Sequence, residues 1–172
     1  MDEKELKAKE TEEMEKIKDL TRRAGEGDTQ ATYELGLYAL QLKEYQTALQ
    51  CFLAATLEDH TDAMVAVGVM LLEGKGAEVD PEGAVEWFEK AAELGNGTAM
   101  FNLGLVFSGG LGVEPDRTKA LEWYRKAAET GHVRAMLALG SEFSEDGDDA
   151  QAFEWLLKAA ELGSELAMDY IG

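Results

Sequence analysis

Cysteine is nearly absent from this chain: Cys51 is the only one in 172 residues. A single thiol makes no internal disulfide and no thiolate metal site, so neither can hold the fold together. Proline occurs twice and histidine twice, at His60 and His132. Basic residues are scarce, 16 against 35 acidic ones, for a net charge of −19. Nucleic acid and anionic membrane surfaces are recognised through clustered Lys and Arg, so this balance argues against both and leaves room for a basic protein or peptide partner. There is no apolar run long enough for a membrane span. The opening M-D-E-K-E-L-K is not followed by the apolar core of a secretory leader, and the expectation is a cytoplasmic protein.

What is present is internal repetition. Ala31, Ala63, Ala99, Ala135 and Ala167 are spaced by 32, 36, 36 and 32 residues. Gly36, Gly68, Gly104 and Gly140 keep these steps, as do Cys51, Trp87, Trp123 and Trp155. A fixed period of this length means stacked supersecondary units. The chain therefore divides into a charged N-terminal helix with a capping helix (1–30), four copies (31–62, 63–98, 99–134, 135–166) and the start of a fifth (167–172). Apolar residues at helical spacing, such as Met100, Leu103 and Phe107, predict a first helix in each copy. Ala120, Leu121, Trp123, Tyr124, Ala127 and Ala128 predict a second over 118–129, with the tryptophans supplying large buried area. Pro115 in E-P-D suits the first turn of that helix, and Gly95, Gly131 and Gly163 suit its end. Asp59 takes the same place in copy one and predicts a poorer cap. Glycine inside a helix costs about 1 kcal/mol relative to alanine. Its recurrence at position 36 and its equivalents predicts that a partner helix crosses there and leaves no room for a Cβ.

Met14, Ile17, Leu20 and Ala24 read as a capping helix over the open end of the stack. Met64, Met100, Met136 and Met168 each follow the repeat alanine and read as core. Cys51, in a tryptophan position, reads as a buried apolar filler. The loops differ by four residues between copies: 73–80 and 108–116 are long, 42–45 and 145–149 short.

A catalytic site needs a nucleophile, a base and a dry pocket, and no such constellation is legible. The two histidines fall in equivalent turns between copies, where a polar residue is ordinary. Gly74-Lys75-Gly76 lacks the hydroxyl residue and preceding strand of a phosphate loop. The acidic run 145–149 lacks the spacing of a calcium loop. Asn96-Gly97-Thr98 fits a glycosylation pattern but reads as turn chemistry. No catalytic residue, metal site or cofactor is expected.

The pattern A-x-x-x-L-G, a G-x-G-V-x-x-D loop, then K-A-x-x-W-Y-x-K-A-A-x-x-G resembles the Sel-like repeat, a relative of the tetratricopeptide repeat. Copy three matches nearly throughout: Leu103, Gly104, Gly110, Gly112, Val113, Asp116, Lys119, Ala120, Trp123, Tyr124, Lys126, Ala127, Ala128 and Gly131. Copy two is close, copy four has lost the long loop, and copy one is nearer to a tetratricopeptide repeat. The resemblance implies an all-α fold, a right-handed α-solenoid of stacked helix-turn-helix repeats, used as a scaffold for protein–protein contacts. Some relatives are secreted with paired cysteines, which this chain lacks.

By position, the residues flanking Leu-Gly on each first helix line the concave wall of such a solenoid: Tyr33 and Leu37, Val65 and Val69, Phe101 and Leu105, Leu137 and Ser141. Gln41 and Glu73 follow one turn on. Seven of the first eight are apolar or aromatic, which suits an amphipathic, basic peptide or helix of a partner protein. Equally, these side chains could pack on one another or lie under the N-terminal segment. The alternative function is self-assembly through the repeat ends, giving a monomer or weak homo-oligomer depending on the occupancy of those ends.

Overall fold

The computed structural model describes residues 3–109 and 111–171, and every described element is an α-helix. Gly110, one of the resemblance positions, lies outside the described residues, as do Met1, Asp2 and Gly172. Contacts group residues 3–79 and 80–171 into two units, each described by itself.

The first unit holds α1 (Glu3–Gly25), α2 (Thr29–Gln41), α3 (Tyr45–Thr56) and α4 (Thr61–Glu73). α2 packs most extensively on α3, flanked by α1 on one side and α4 on the other. The repeat glycine sets the α2–α3 distance: a Cβ at Gly36 would overlap the fully buried Phe52 ring. α1 does cover α2, burying Leu20 and half-burying Ile17, while Met14 stays exposed. Copy one ends as its sequence foretells, with Asp59 forced to φ +56° where Gly95, Gly131 and Gly163 take about +86°.

The second unit holds α5 (Pro81–Glu93), α6 (Gly97–Gly109), α7 (Arg117–Glu129), α8 (Val133–Glu145), α9 (Asp149–Glu161) and the short α10 (Glu165–Ile171). The pairs α6–α7 and α8–α9 repeat the α2–α3 geometry. Gly104 faces the Tyr124 ring and Gly140 the Leu156 side chain, each too closely for a Cβ. Together the helix pairs make an all-α repeat solenoid.

The long loops are specific structures. Gly74 caps α4 in the left-handed conformation, its N–H donating to the Met70 carbonyl. Gly76, at φ +81°, lies against the Tyr45 backbone at the start of α3, and Gly112 lies against Pro81 at the start of α5. Tyr45 and Pro81 hold one register position, so each long loop folds back on the second helix of the preceding copy. Asp80 and Asp116 then cap α5 and α7. Pro81 occupies the first turn of α5, but Pro115 precedes the cap of α7 instead of entering the helix.

Candidate functional site: the faces of the first helices

One position orders these helices. Three residues before each repeat alanine stands a side chain that accepts the alanine N–H: Asp28 for Ala31, His60 for Ala63, Asn96 for Ala99, His132 for Ala135 and Ser164 for Ala167. Each satisfies one of the amide donors that a helix start leaves open. The sequence reading placed the histidines in surface turns; they are caps, and half-buried. Imidazole Nδ1 must be unprotonated to accept, so both histidines cap only in the neutral form.

The caps also connect to the proposed wall. The His60 ring stacks on Tyr33, centroids 4.6 Å apart, and its Nε2 meets Gln30 Oε1 at 3.0 Å. His132 stacks on Phe101 at 4.8 Å. Burial lowers the His132 pKa from 6.5, and the neighbouring Arg134 lowers it further. Burial raises the Tyr33 pKa, with the Asp62 carboxylate adding to the effect.

The ten residues assigned to the wall separate into three groups. In the first unit Leu37, Gln41 and Glu73 are exposed, and Tyr33, Val65 and Val69 are half-buried. In the second, Leu105 and Ser141 are exposed and Leu137 is half-buried. Phe101 differs: it is only 4% exposed. Its ring lies 5.7 Å from Tyr124, the stacked His132 covers another side, and the Arg134 guanidinium sits 4.8 Å above it. Phe101 is therefore a core side chain, and the expectation that it points outward is corrected. Leu37 and Leu105, at one register position in the two units, are 39% and 38% exposed. Leu37 and Gln41 also line a cleft of about 200 Å³ with Ile17, Leu20 and Tyr38, rimmed by Glu13, Lys16 and Glu34. Here α1 does flank the wall, without closing it.

Three other expectations change. Trp87, Trp123 and Trp155 are half-buried, not deep core. Each has a lysine ammonium three residues on over its ring, at 4.5, 4.0 and 4.1 Å. Cys51 is half-buried and unpaired, its thiol pKa pushed up by burial. Met64 and Met136 are core, but Met168 is exposed. Residues 76–78 of the loop, with 43–47 at the start of α3, border an open groove of about 710 Å³ with a mostly polar lining. Among the described residues no set of carboxylates, imidazoles and thiolates converges to hold a metal, and no helix is long and apolar enough to cross a membrane.

The Sel1 repeat model matches three consecutive segments, residues 61–96, 97–132 and 133–164. The chain belongs to the Sel1 repeat family. Similar solved structures share its helix-pair architecture. A protective antigen of uropathogenic Escherichia coli displaying an SLR fold is 31% identical with a TM-score of 0.81, over 90% of this chain and 35% of the antigen. A Sel1 repeat protein from Oxalobacter formigenes is 27% identical with a TM-score of 0.80, over 88% of this chain and 65% of its own. Helicobacter pylori cysteine rich protein B, at 22% identity and a TM-score of 0.58, shares the fold over 73% of this chain and 96% of its own. This chain thus spans about a third of the antigen and just under two thirds of the Oxalobacter protein. No curated protein sequence matches it. Sel1 repeats generally act as non-catalytic scaffolds for protein–protein contacts, and helices α2–α3 lie outside the matched segments.

Proposed function

We propose that this Sel1 repeat protein is a non-enzymatic, cytoplasmic adaptor that binds an amphipathic, basic peptide or helix of another protein along the faces of its first helices. One observation carries the reading: Leu37 and Leu105 hold the same repeat position and are both open to solvent. An exposed leucine alone is ordinary, but the same one recurring by register is a built feature. Half-buried Val69 fills the same position in α4 and exposed Ser141 fills it in α8. Exposed Gln41 and Glu73 one turn on give these positions an acidic, hydrogen-bonding edge. With −19 overall, basic partners are steered in and acidic ones repelled.

The test uses proximity labelling and affinity capture with the wild type beside a Leu37→Glu, Leu105→Glu variant. Both sites are exposed, so the variant should keep its helical circular dichroism. The expected result is a partner retained by the wild type, lost by the variant and released by moderate salt. Identical partners for both proteins would place binding away from these faces.

A further inference from the structure

Among the five capped starts of the first helices, Asn96-Gly97 alone joins an asparagine to a glycine; the other caps are followed by Thr29, Thr61, Val133 and Glu165. Glycine stands there for a packing reason: a Cβ at Gly97 would overlap Thr130 Oγ1, just past the end of α7. Asparagine stands there as a cap, its Oδ1 accepting the Ala99 N–H at 2.9 Å. Both residues are half-buried on the wall of an open groove of about 360 Å³ bordered by residues 95–98 and 130–132, so water reaches the junction. Two structural requirements thus bring together a side-chain carboxamide and a following main-chain nitrogen that no side chain shields. These two groups can react with each other.

We propose that Asn96 is a self-modification site, converted by water to aspartate and isoaspartate, and that its own capping bond gates the reaction. In the first step the Gly97 nitrogen, its proton lost to hydroxide, bonds to Asn96 Cγ. The Cγ–Nδ2 bond breaks and Nδ2 leaves as ammonia, taking a proton from water, which closes a five-membered imide. A second water then adds to one imide carbonyl and breaks its bond to the Gly97 nitrogen. Opening at Cγ gives aspartate. Opening at the main-chain carbonyl gives isoaspartate, whose backbone runs through Cβ and Cγ. Nothing is oxidised or reduced. The capping geometry opposes the first step. Asp28, His60 and His132, which make the same capping bond, hold ψ at 104°, 97° and 100°. For an L-residue such a ψ puts the next nitrogen across the Cα–C bond from Cβ, away from Cγ. Ring closure therefore waits until that bond rotates and the first turn of α6 opens. The two products then differ. Aspartate restores the cap, as Asp28 caps Ala31 at 3.0 Å, and its charge suits a helix start. Isoaspartate lengthens the main chain beside Gly97, where Thr130 leaves no room, and its carboxylate sits directly on Cα, too short to reach the Ala99 amide.

The test ages the whole chain in warm, mildly alkaline buffer, once folded and once unfolded in guanidinium chloride, and follows residue 96 by peptide mapping with mass spectrometry. The expected result is conversion at Asn96 in both states, slower in the folded chain by about 10- to 1,000-fold, the range of a local opening. Asn102, the other asparagine, should stay intact beside the bulky Leu103. Asn96→Ser, copying the Ser164 cap, should keep its helical circular dichroism and never gain the extra negative charge that ion-exchange chromatography detects. Of the aged folded protein, the aspartate form should melt with the Asn96→Asp variant and the isoaspartate form below it. A slowing smaller than about tenfold overturns the gate. No conversion in the unfolded chain, or a slowing beyond about 1,000-fold in the folded one, overturns Asn96 as a site of the native protein. An isoaspartate form as stable as Asn96→Asp overturns the assigned loss of the cap.

Discussion

Each cap residue has its own chemistry, and His132 makes one of them titratable. Its folded pKa lies below 6.5, so the unfolded chain takes up the proton first as pH falls. Its contribution is present above 6.5 and is lost as pH drops through the folded value. A protonated ring can no longer accept from Ala135, and it brings positive charge to the positive end of α8. Urea midpoints measured from pH 7.5 to 5 should therefore fall with acidification. His132→Asn, copying the Asn96 cap, should flatten that part of the curve. The strained Asp59, at φ +56°, predicts that Asp59→Gly stabilises the fold by about 0.5–1 kcal/mol, read as a higher urea midpoint. That cost was legible in the sequence, because three other copies have glycine there. The capping role of the histidines was not, since imidazole is a rare cap; the signal was their place three residues before the repeat alanine, alongside Asp28, Asn96 and Ser164. Phe101 was misplaced because the register gives a side chain's direction but not what the next copy sets over it.

The helix pair is the unit that the repeat glycine defines. At Gly104 an added methyl would overlap the Tyr124 ring, which is itself buried and cannot swing aside. Gly104→Ala should raise intrinsic helix propensity yet destabilise the protein by about 1–3 kcal/mol through overpacking. Thermal melts show which term wins, and a stabilised variant would mean that α6 and α7 can shift apart. The glycines and the split between long and short loops were readable from spacing, because packing imposes them in every copy alike, whereas the first helix of copy three starts at Gly97, two residues before the alanine from which it was read. The loop contacts were not. That Gly76 touches Tyr45 and Gly112 touches Pro81 depends on two segments about thirty residues apart, and no periodicity within a loop reveals it. The tryptophans were misjudged for a similar reason. The i, i+3 lysine was in view, but whether it lies over the ring or in water is decided by the other helices.

For the molecule as a whole, 35 acidic residues against 16 basic ones set the largest long-range term. Self-repulsion at −19 opposes any folded state, and salt screens it over about 10 Å at 0.1 M. Raising NaCl from low to about 0.5 M should therefore lift the melting temperature by several degrees, as a calorimetric scan would record. A flat response would mean that the ion pairs of Arg22, Arg23 and Arg117 with their carboxylates lose as much to screening as the rest gains. The same field favours the basic partner proposed for the first-helix faces. Raising the ionic strength should therefore weaken that proposed association.

The cap row has one more consequence. Five helix starts in one molecule differ in the acceptor that meets the alanine amide: carboxylate, imidazole, carboxamide, imidazole again, hydroxyl. Nature has run a substitution series inside a single chain, with the backbone frame held nearly constant. Amide hydrogen exchange at Ala31, Ala63, Ala99, Ala135 and Ala167 in one sample would rank those acceptors against each other. A second sample at lower pH, compared as protection relative to the intrinsic exchange rate at each pH, would show Ala135 losing protection as the His132 ring takes its proton.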